Sequence, residues 1–332
     1  VVSTLVTVAA WATAAAVLFV VAALVALRVR AGGRYRHPVP DVGGAVEQVV
    51  VITGCDSGIG RETAQRMARG GFLVLASVFD KKSIAELARE EGTIVAKVAD
   101  ITDGDSVTSF GEWVEDELAV GQRRLAGLLN NAGIVTNAPL EVQPIADVER
   151  QLDVNVTGHI RVLQALLPLV RTHGSRIVNL VSIAGRSSTH GLGAYSASKH
   201  AMEAVTDTLR LELEPWHISV SAIEPGIIDT PLARSTKLQF EENWDRCYEG
   251  ARDIYHWQYR KSKAVSDIAM RGSPPSMVAD AIWDAFTSPT PRTRYLVGPD
   301  ARFAAFVRWL LSDHMFEQLG VDIVALMGAF KR

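Results

Sequence analysis

Two periodicities of hydrophobic and polar residues divide most of the chain into short and long segments. The short ones are runs of β-branched and aliphatic residues bounded by glycine or polar residues, and such runs predict buried strands. In chain order they are Gln48–Ile52, Phe72–Val78, Thr93–Val98, Leu125–Leu129, Arg176–Val181 and Ile218–Ile223.

The long segments have apolar residues three and four positions apart, which predicts amphipathic helices. One follows the glycines that end at Gly60, a second covers Lys81–Glu91, and two longer ones cover 148–170 and 194–213. Strands that alternate with helices predict a parallel sheet with helices on both faces. We therefore expect a single α/β domain over 47–332, a Rossmann-type, doubly wound parallel sheet.

The N-terminal segment has a different pattern. From Val1 to Leu27 no side chain is charged, and Val, Ala and Leu predominate. A helix of this length reaches about 40 Å, against about 30 Å for the hydrocarbon core of a bilayer. A cleaved signal peptide and a buried core helix are the alternatives, but the run is too long for a signal peptide and its basic residues follow it. We predict a transmembrane anchor over 1–27.

Basic residues after this segment indicate an orientation. Four arginines between Arg28 and Arg36 precede the first acidic residue, Asp41, and such an excess favours the cytoplasmic side of a membrane. Glycines and prolines make 28–46 a predicted linker. We expect a single-pass membrane protein with its α/β domain facing the cytoplasm.

Composition and charge argue against several other classes. Hydrophobic residues make up 48% of the 332 residues, which is enough for a sizeable core, and the formal net charge of −3 does not favour nucleic acid as a partner. Cys55 and Cys247 alone do not make a disulfide framework. Because no histidine pair has a metal-ligand spacing with supporting cysteines or carboxylates, we predict no metal site.

A glycine-rich loop joins the first strand to the first helix. Its glycines are Gly54, Gly58 and Gly60. A strand, glycines and then a helix present backbone N–H groups and a helix N-terminus to a pyrophosphate. Glycines also make ordinary turns, but this position is the one that a dinucleotide site requires.

The end of the second predicted strand bears on the choice between NAD and NADP. Asp80 is there, and a carboxylate at this place accepts hydrogen bonds from the ribose hydroxyls and repels a 2′-phosphate. No Arg or Lys occupies Ser57 or Val78, although Lys81 is adjacent. The sequence therefore favours NAD, with NADP as the lesser alternative. The other interpretation of Asp80 is a cap for the helix that follows.

Tyr195 and Lys199 are four residues apart on a predicted helix, so their side chains share one face. A phenol has a reference pKa near 10, and an adjacent ammonium lowers it by roughly 1–3 units, which makes the phenolate a usable base. Ser182 follows a predicted strand, where its hydroxyl could hold a substrate oxygen as charge develops there. Taken singly, a Tyr–Lys pair is common on helices, and a serine after a strand is often a cap.

Several motifs together resemble the short-chain dehydrogenase/reductase family, and the likeness spans roughly 48–230. They occur in the family's order: Thr53–Gly60, the aspartate of Val98–Ile101, Asn130–Gly133, Asn155 within Asp153–Val156, Ser182, Tyr195 with Lys199, and Pro225–Gly226 with Thr230. Chance would have to supply every motif at once. The resemblance implies a nicotinamide-dependent oxidoreductase.

The resemblance implies a role for each matching residue. Tyr195 is the expected acid/base, Ser182 the group that holds the carbonyl, and Asn155 the holder of a water that relays protons to Lys199. Lys199 is also expected to bind the nicotinamide ribose. The remaining expected cofactor contacts are Gly54, Ser57, Gly58, Ile59, Gly60, Asp80, Asp100 (to the adenine amino group), Ile101, Asn131 (also steadying the central strand), Ala132, Gly133, Tyr195, Pro225, Gly226, Ile228 and Thr230.

A shorter match indicates the substrate class. The loop Thr53–Gly58, the strand Gly71–Ser77 and the predicted anchor are together similar to the membrane-bound retinol and hydroxysteroid dehydrogenases. The segment 231–275 is where this family has its substrate lid, and its aromatic residues suit a hydrophobic substrate or simply pack a helix pair. We expect a hydrophobic alcohol and its carbonyl as the reaction partners.

Two other functions remain open from the sequence. One is an NADP(H)-dependent 3-ketoacyl or general carbonyl reductase, and the other is a membrane-tethered nucleotide-binding scaffold without activity. The intact set of four predicted catalytic residues argues against the scaffold. A homodimer through the helices at 148–170 and 194–213 is a further expectation.

Overall fold

Seven parallel strands make up one sheet, in the order β3-β2-β1-β4-β5-β6-β7, in the part of the chain that is described. The computed structural model describes residues 36–90, 92–238, 240–247, 250–256 and 272–318, together with Phe19. The strands are β1 (Glu47–Ile52), β2 (Leu73–Val78), β3 (Ile94–Val98), β4 (Arg123–Asn130), β5 (Arg176–Leu180), β6 (Val220–Pro225) and β7 (Arg294–Val297).

Helices connect the strands. They are α1 (Gly58–Arg69), α2 (Lys82–Leu87), α3 (Gly104–Ala119), α4 (Ile145–Leu152), α5 (Gly158–His173), α6 (Gly193–Glu212), α7 (Pro231–Leu238), α8 (Phe240–Asp245), α9 (Ala251–Ile254), α10 (Pro275–Thr287), α11 (Pro299–Leu310) and α12 (Asp313–Gln318). The predicted doubly wound α/β domain is confirmed.

Successive residues of β1 point to opposite faces of the sheet, and each face has its own hydrophobic core. Val50 and Ile52 lie in a core that includes Met67 of α1 and Phe286 of α10. Val49 and Val51 lie in the other, which includes Leu166 of α5. Burial on both faces explains why these strands are continuous apolar runs rather than alternating ones.

The long helix predicted over 148–170 is divided in the structure. It begins as α4, passes through a π-helical turn at Asp153–Thr157 and continues as α5. Such turns interrupt the regular hydrogen-bond ladder and often occur at functional sites. Periodicity did not reveal this turn, because one wide turn barely changes the spacing of apolar residues.

The strand order reverses beside β1, since β2 lies on one side of it and β4 on the other. Doubly wound sheets bind ligands at this point, beyond the carboxyl ends of the strands. The loops after β1, β4 and β5 carry the glycine-rich segment, Asn131 and Ser182, so the sheet places three of the predicted motifs at one edge.

The chain divides into two compact units, Val1–Pro38 and Val39–Arg332, and the sheet belongs to the second. The predicted anchor at 1–27 lies outside the described residues, apart from Phe19, and so does most of the linker before residue 36. No helix within the described ranges is long and apolar enough to cross a membrane.

Candidate active site

A cavity of about 1520 Å³ opens at the carboxyl ends of the strands. Residues from the glycine-rich loop, from the ends of β3 to β6 and from the start of α6 line it. Of the residues predicted for the site, Asp80 and Asn155 are not among those that line it, whereas the other predicted residues are: Gly54, Ser57, Gly58, Ile59, Gly60, Asp100, Ile101, Asn131, Ala132, Gly133, Ser182, Tyr195, Lys199, Pro225, Gly226, Ile228 and Thr230.

The glycine-rich loop packs too closely for side chains at two positions. Gly54 has φ +71°, and a Cβ atom there would lie 2.7 Å from Cα of Ala132. A Cβ atom on Gly60 would lie 2.2 Å from the carbonyl oxygen of Gly54. The backbone of the loop therefore turns tightly against the residues after β4, which leaves the N-terminus of α1 open toward the cavity.

Asn131 connects the loop after β4 to the end of β1. Its Nδ2 donates to the carbonyl oxygens of Thr53 and Gly54 at 2.8 and 3.0 Å. Its backbone N–H donates to Oγ1 of Thr53 at 2.9 Å. These bonds join the two central strands at the point where the strand order reverses. Thr53 was not singled out by the sequence, although it begins the glycine motif.

The carboxylate of Asp80 faces the helix that follows it. Its Oδ1 accepts from the backbone N–H of Lys82 at 3.0 Å, and its Oδ2 lies 2.7 Å from Nζ of Lys82. These bonds hold the pKa of Asp80 below its ordinary value. Asp80 thus bonds the first turn of α2, as its alternative interpretation as a helix cap implies, although Lys81 occupies the N-cap position itself.

Tyr195 is half-buried near the start of α6, and Ser182 is buried just beyond β5. The Oγ of Ser182 accepts from the backbone N–H of Ala184 at 3.1 Å. Burial raises the pKa of the Tyr195 phenol, and the hydrogen bond with Ser182 opposes that rise.

Lys199 is one turn beyond Tyr195 and is also buried. Its Nζ donates to the carbonyl oxygen of Leu180 at 3.1 Å and lies 5.7 Å from the centre of the Tyr195 ring. Burial lowers the pKa of Lys199 to about 8. The expected lowering of the Tyr195 pKa by Lys199 is wrong for this structure, because burial dominates the pKa of the phenol.

Asn155 lies in the π-helical turn and is fully buried. Its Oδ1 accepts from the N–H of Ile134 at 2.9 Å, while its Nδ2 donates to the carbonyl of Ile134 at 3.0 Å and to Oγ of Ser198 at 3.1 Å. Both amide donors are therefore used within the protein. The proton relay through a water at Asn155 stays a prediction.

His159 is a buried histidine to which the sequence gave no role. Its Nε2 is 2.6 Å from the carbonyl oxygen of Ala132, so Nε2 carries the proton, and its Nδ1 has no partner among the described residues. Burial, with a contribution from the charge of Lys199, lowers the pKa of His159 to about 4. A neutral imidazole thus supports the loop that lines the cavity.

Asp300 of α11 contacts the backbone that lines the cavity after β6. Oδ2 of Asp300 accepts from the backbone N–H of Ile227 at 2.6 Å, and a Cβ atom on Gly226 would lie 2.2 Å from the same carboxylate oxygen. Pro225 is the last residue of β6, and this partly buried contact helps to fix the turn that follows with Gly226, Ile228 and Thr230.

These positions match a known family. The model for short chain dehydrogenases matches residues 48–240. The chain belongs to the short-chain dehydrogenase/reductase family. The enzyme is thus an oxidoreductase of the kind that acts on CH–OH groups, and its family uses NAD(P).

Relatives of this short-chain dehydrogenase include enzymes named for hydrophobic alcohols. Retinol dehydrogenase 7 of Rattus norvegicus is 38% identical over 264 residues, which covers 77% of this chain and 82% of the relative. The 17-beta-hydroxysteroid dehydrogenase type 6 of Homo sapiens is 35% identical over 266 residues, with the same shares covered. The resemblance to this subgroup is confirmed.

A solved structure has the same fold as the dehydrogenase. It is a short-chain dehydrogenase from Streptomyces avermitilis, with a TM-score of 0.67 and 26% sequence identity, and the match covers 84% of this chain and 100% of that one.

The cavity fits a dinucleotide on structural grounds. Gly58, Ile59 and Gly60 in the first turn of α1 line the cavity, so the backbone at this helix N-terminus is available to a pyrophosphate. Two further lining residues, Asp56 and Phe79, were not singled out from the sequence. Phe79 follows β2 and is 67% exposed, which suits it to cover a planar ligand rather than to fill the core.

Proposed function

We propose that this protein is an NAD-dependent dehydrogenase that interconverts a hydrophobic alcohol, of the retinol or hydroxysteroid type, and its carbonyl. The observation that carries the proposal is the meeting of Tyr195, Ser182 and Lys199 on one cavity that also contains the glycine-rich loop. A proton acceptor, a hydroxyl donor and a dinucleotide-binding backbone thus come together in one place. NADP remains the lesser alternative.

Ser182 and Tyr195 would hold the reacting oxygen of the substrate. Ser182 has a single hydroxyl proton, which its hydrogen bond with Tyr195 engages, and the oxygen of a bound substrate would accept that proton instead. In alcohol oxidation the Tyr195 oxygen takes the hydroxyl proton, and in carbonyl reduction it returns that proton. Bound nicotinamide supplies the acceptor or donor of the hydride.

Lys199 would serve both the cofactor and the tyrosine. One of its three N–H groups is used on the carbonyl of Leu180, so two remain for the ribose hydroxyls and for the proton path from Tyr195. Gly133 keeps this space open, since a Cβ atom there would lie 3.3 Å from Oδ1 of Asn155 and 3.9 Å from Nζ of Lys199.

The apolar part of the cavity suits a hydrophobic substrate. Lining residues from four segments are apolar: Val135, Ile183, Leu192, Leu232 and Phe316. Leu232 is on α7, in the segment predicted as the substrate lid at 231–275, and α8 packs beside the loop after β4 through Asn243, whose Nδ2 donates to Oδ1 of Asn137 at 2.9 Å. Apolar walls with a few polar groups are typical of small-molecule sites.

The proposal includes a location and an assembly. The apolar segment 1–27 would anchor the enzyme in the endoplasmic reticulum with its catalytic domain on the cytoplasmic side, where a substrate dissolved in lipid can reach it. A homodimer through 148–170 and 194–213 is part of the same proposal, and the molar mass of the purified full chain would test it.

The decisive experiment compares Tyr195→Phe with the wild type on retinoid, hydroxysteroid and 3-ketoacyl substrates, with both cofactors. Reduced nicotinamide is followed by its absorbance. Because one proton-transferring oxygen is lost, turnover should fall by about 10²–10⁴-fold while NADH still binds. Tyr295→Phe removes the same atom outside the cavity, where Oη bonds Asp284, and should keep most of the activity.

Each alternative has its own outcome. Turnover of 3-ketoacyl substrates with NADPH alone would favour the carbonyl reductase. Nucleotide binding without turnover of any substrate would favour the scaffold. A Tyr195→Phe variant that keeps a tenth of the wild-type rate would refute the assigned acid/base.

A further inference from the structure

We propose that Asp56, rather than Asp80, is the carboxylate that makes this enzyme prefer NAD to NADP; the inference rests on the proposed NAD-dependent function. Asp56 is within the glycine-rich loop, whereas a carboxylate with this role is expected at the end of β2. In the folded chain, the side chain of Asp56 lies at the end of β2.

The backbone after β2 fixes the position of the Asp56 carboxylate. Its Oδ2 accepts from the N–H of Phe79 at 2.8 Å, and its Oδ1 accepts from the N–H of Asp80 at 2.9 Å. Oδ1 also accepts from Oγ of Ser83 at 3.0 Å. Three donors from one segment thus hold both oxygens at the carboxyl end of β2.

This is the place where a doubly wound sheet binds the adenosine ribose. The pyrophosphate lies at the first helix, and the ribose hydroxyls reach a carboxylate at the end of the second strand. Asp56 and Phe79 both line the cavity at that point, and Asp80 is not among the lining residues. The charge nearest to a 2′-phosphate would therefore be that of Asp56.

The two carboxylates differ in charge compensation. Asp80 forms an ion pair with Lys82, and its side chain is 45% exposed. None of the ion pairs among the described residues includes Asp56, which is half-buried. Solvent and counter-charge therefore screen Asp80 more than Asp56. Oδ2 of Asp56 also keeps one lone pair, which can accept from a ribose hydroxyl.

The test measures the dissociation constants of NADH and NADPH for the full chain in detergent, from quenching of protein fluorescence. Asp56→Asn keeps the shape and removes the charge. The ratio of the NADPH constant to the NADH constant should fall at least about tenfold, because a charge repelling the phosphate and a hydrogen bond to the ribose are both lost. Asp80→Asn should change that ratio less than about threefold, because its charge is already paired.

Asp116→Asn is the matched control for net charge. Asp116 is exposed near the C-terminal end of α3, away from the lining residues, so this variant should leave the ratio unchanged. A folded Asp56→Asn variant with an unchanged ratio would overturn the inference. So would an Asp80→Asn variant whose ratio falls more than that of Asp56→Asn.

A measurement on the wild type covers the case in which Asp56→Asn does not fold, since the asparagine cannot accept from all three donors. Salt screens repulsion, so the same ratio should fall as ionic strength rises from about 0.01 to 0.15 M. A ratio that rises with salt would contradict a repelling charge. A wild type that binds neither nucleotide would refute the proposed function as a whole. One that prefers NADPH would refute this inference and the NAD preference, and would leave the proposed dehydrogenase activity standing.

Discussion

Lys199 donates from Nζ to the carbonyl oxygen of Leu180 at 3.1 Å, which ties the helix α6 to the end of β5. Ser182 follows that same strand. This hydrogen bond therefore joins the segments that carry Ser182, Tyr195 and Lys199. The ammonium lies 5.7 Å from the centre of the Tyr195 ring.

Replacing Lys199 with methionine keeps most of the side-chain volume and removes the ammonium. We expect NADH affinity to fall at least tenfold and turnover by about 10²-fold or more. The reason is that the same ammonium is proposed to bind the nicotinamide ribose and to take part in the proton path from Tyr195. Lys97→Met is the control: its Nζ bonds Ser109 on the protein surface. Normal NADH affinity in Lys199→Met would contradict the double role.

The pH dependence of cofactor binding should report Lys199. Its pKa of about 8 in the folded protein means that the ammonium is present below pH 8 and is lost above it. NADH affinity of the wild type should therefore weaken as the pH rises through about 8, and this step should be missing in Lys199→Met. Isothermal titration between pH 6.5 and 9.5 would measure both profiles.

Ser198 should act on catalysis through Asn155. Ser198→Ala removes the acceptor of Nδ2 of Asn155 and leaves a buried donor unpaired, which should cost about 1–3 kcal/mol of unfolding free energy. Turnover should fall while the NADH dissociation constant stays within a factor of two. Ser196→Ala is the matched control, because Ser196 is buried on the same helix and its Oγ has no partner among the described residues. Equal effects of the two variants would exclude this positioning role.

Acid stability should depend on His159. Its pKa of about 4 in the folded state lies below the ordinary 6.5, so the unfolded chain takes up a proton first as the pH falls. Stability is thus complete above pH 6.5 and is lost between 6.5 and about 4, by up to about 3 kcal/mol from this group. His159→Gln should flatten the dependence of the melting temperature on pH in this window. The exposed His314 gives the control variant, His314→Gln, which should follow the wild type.

Deleting residues 1–30 should release the enzyme from membranes without loss of NADH binding. The apolar run precedes the α/β domain, and β1 begins at Glu47. Extraction with alkaline carbonate and a binding titration of the released protein would check both parts. If the truncated protein stays in the carbonate-resistant fraction, attachment does not depend on the N-terminal segment.

The order of the first six strands was predictable because each of them is a short apolar run between polar turns. The helices α3 and α10 were not predicted. Predicted strand ends differ from the observed ones by one or two residues, as with Arg176–Val181 against Arg176–Leu180. The strand β7 was missed, since its Arg294–Val297 segment is short and only half of its residues are buried.

The residue types of the candidate site were also readable from the sequence, because the glycine spacing and the Tyr–Lys spacing are local. A helix in any context places Tyr195 and Lys199 on one face, and the spacing of Gly54, Gly58 and Gly60 between a strand and a helix is visible in the sequence itself.

Contacts between segments distant in the chain were decided by the tertiary structure alone. Asp80 lies at the expected position in the sequence, yet its carboxylate pairs with Lys82, while Asp56 crosses from another loop to the end of β2. Likewise burial raises the pKa of Tyr195, and the four-residue spacing between Tyr195 and Lys199 does not reveal that burial. Hydrogen bonding and desolvation depend on which atoms surround a group in space, and only the packed sheet and its loops determine that.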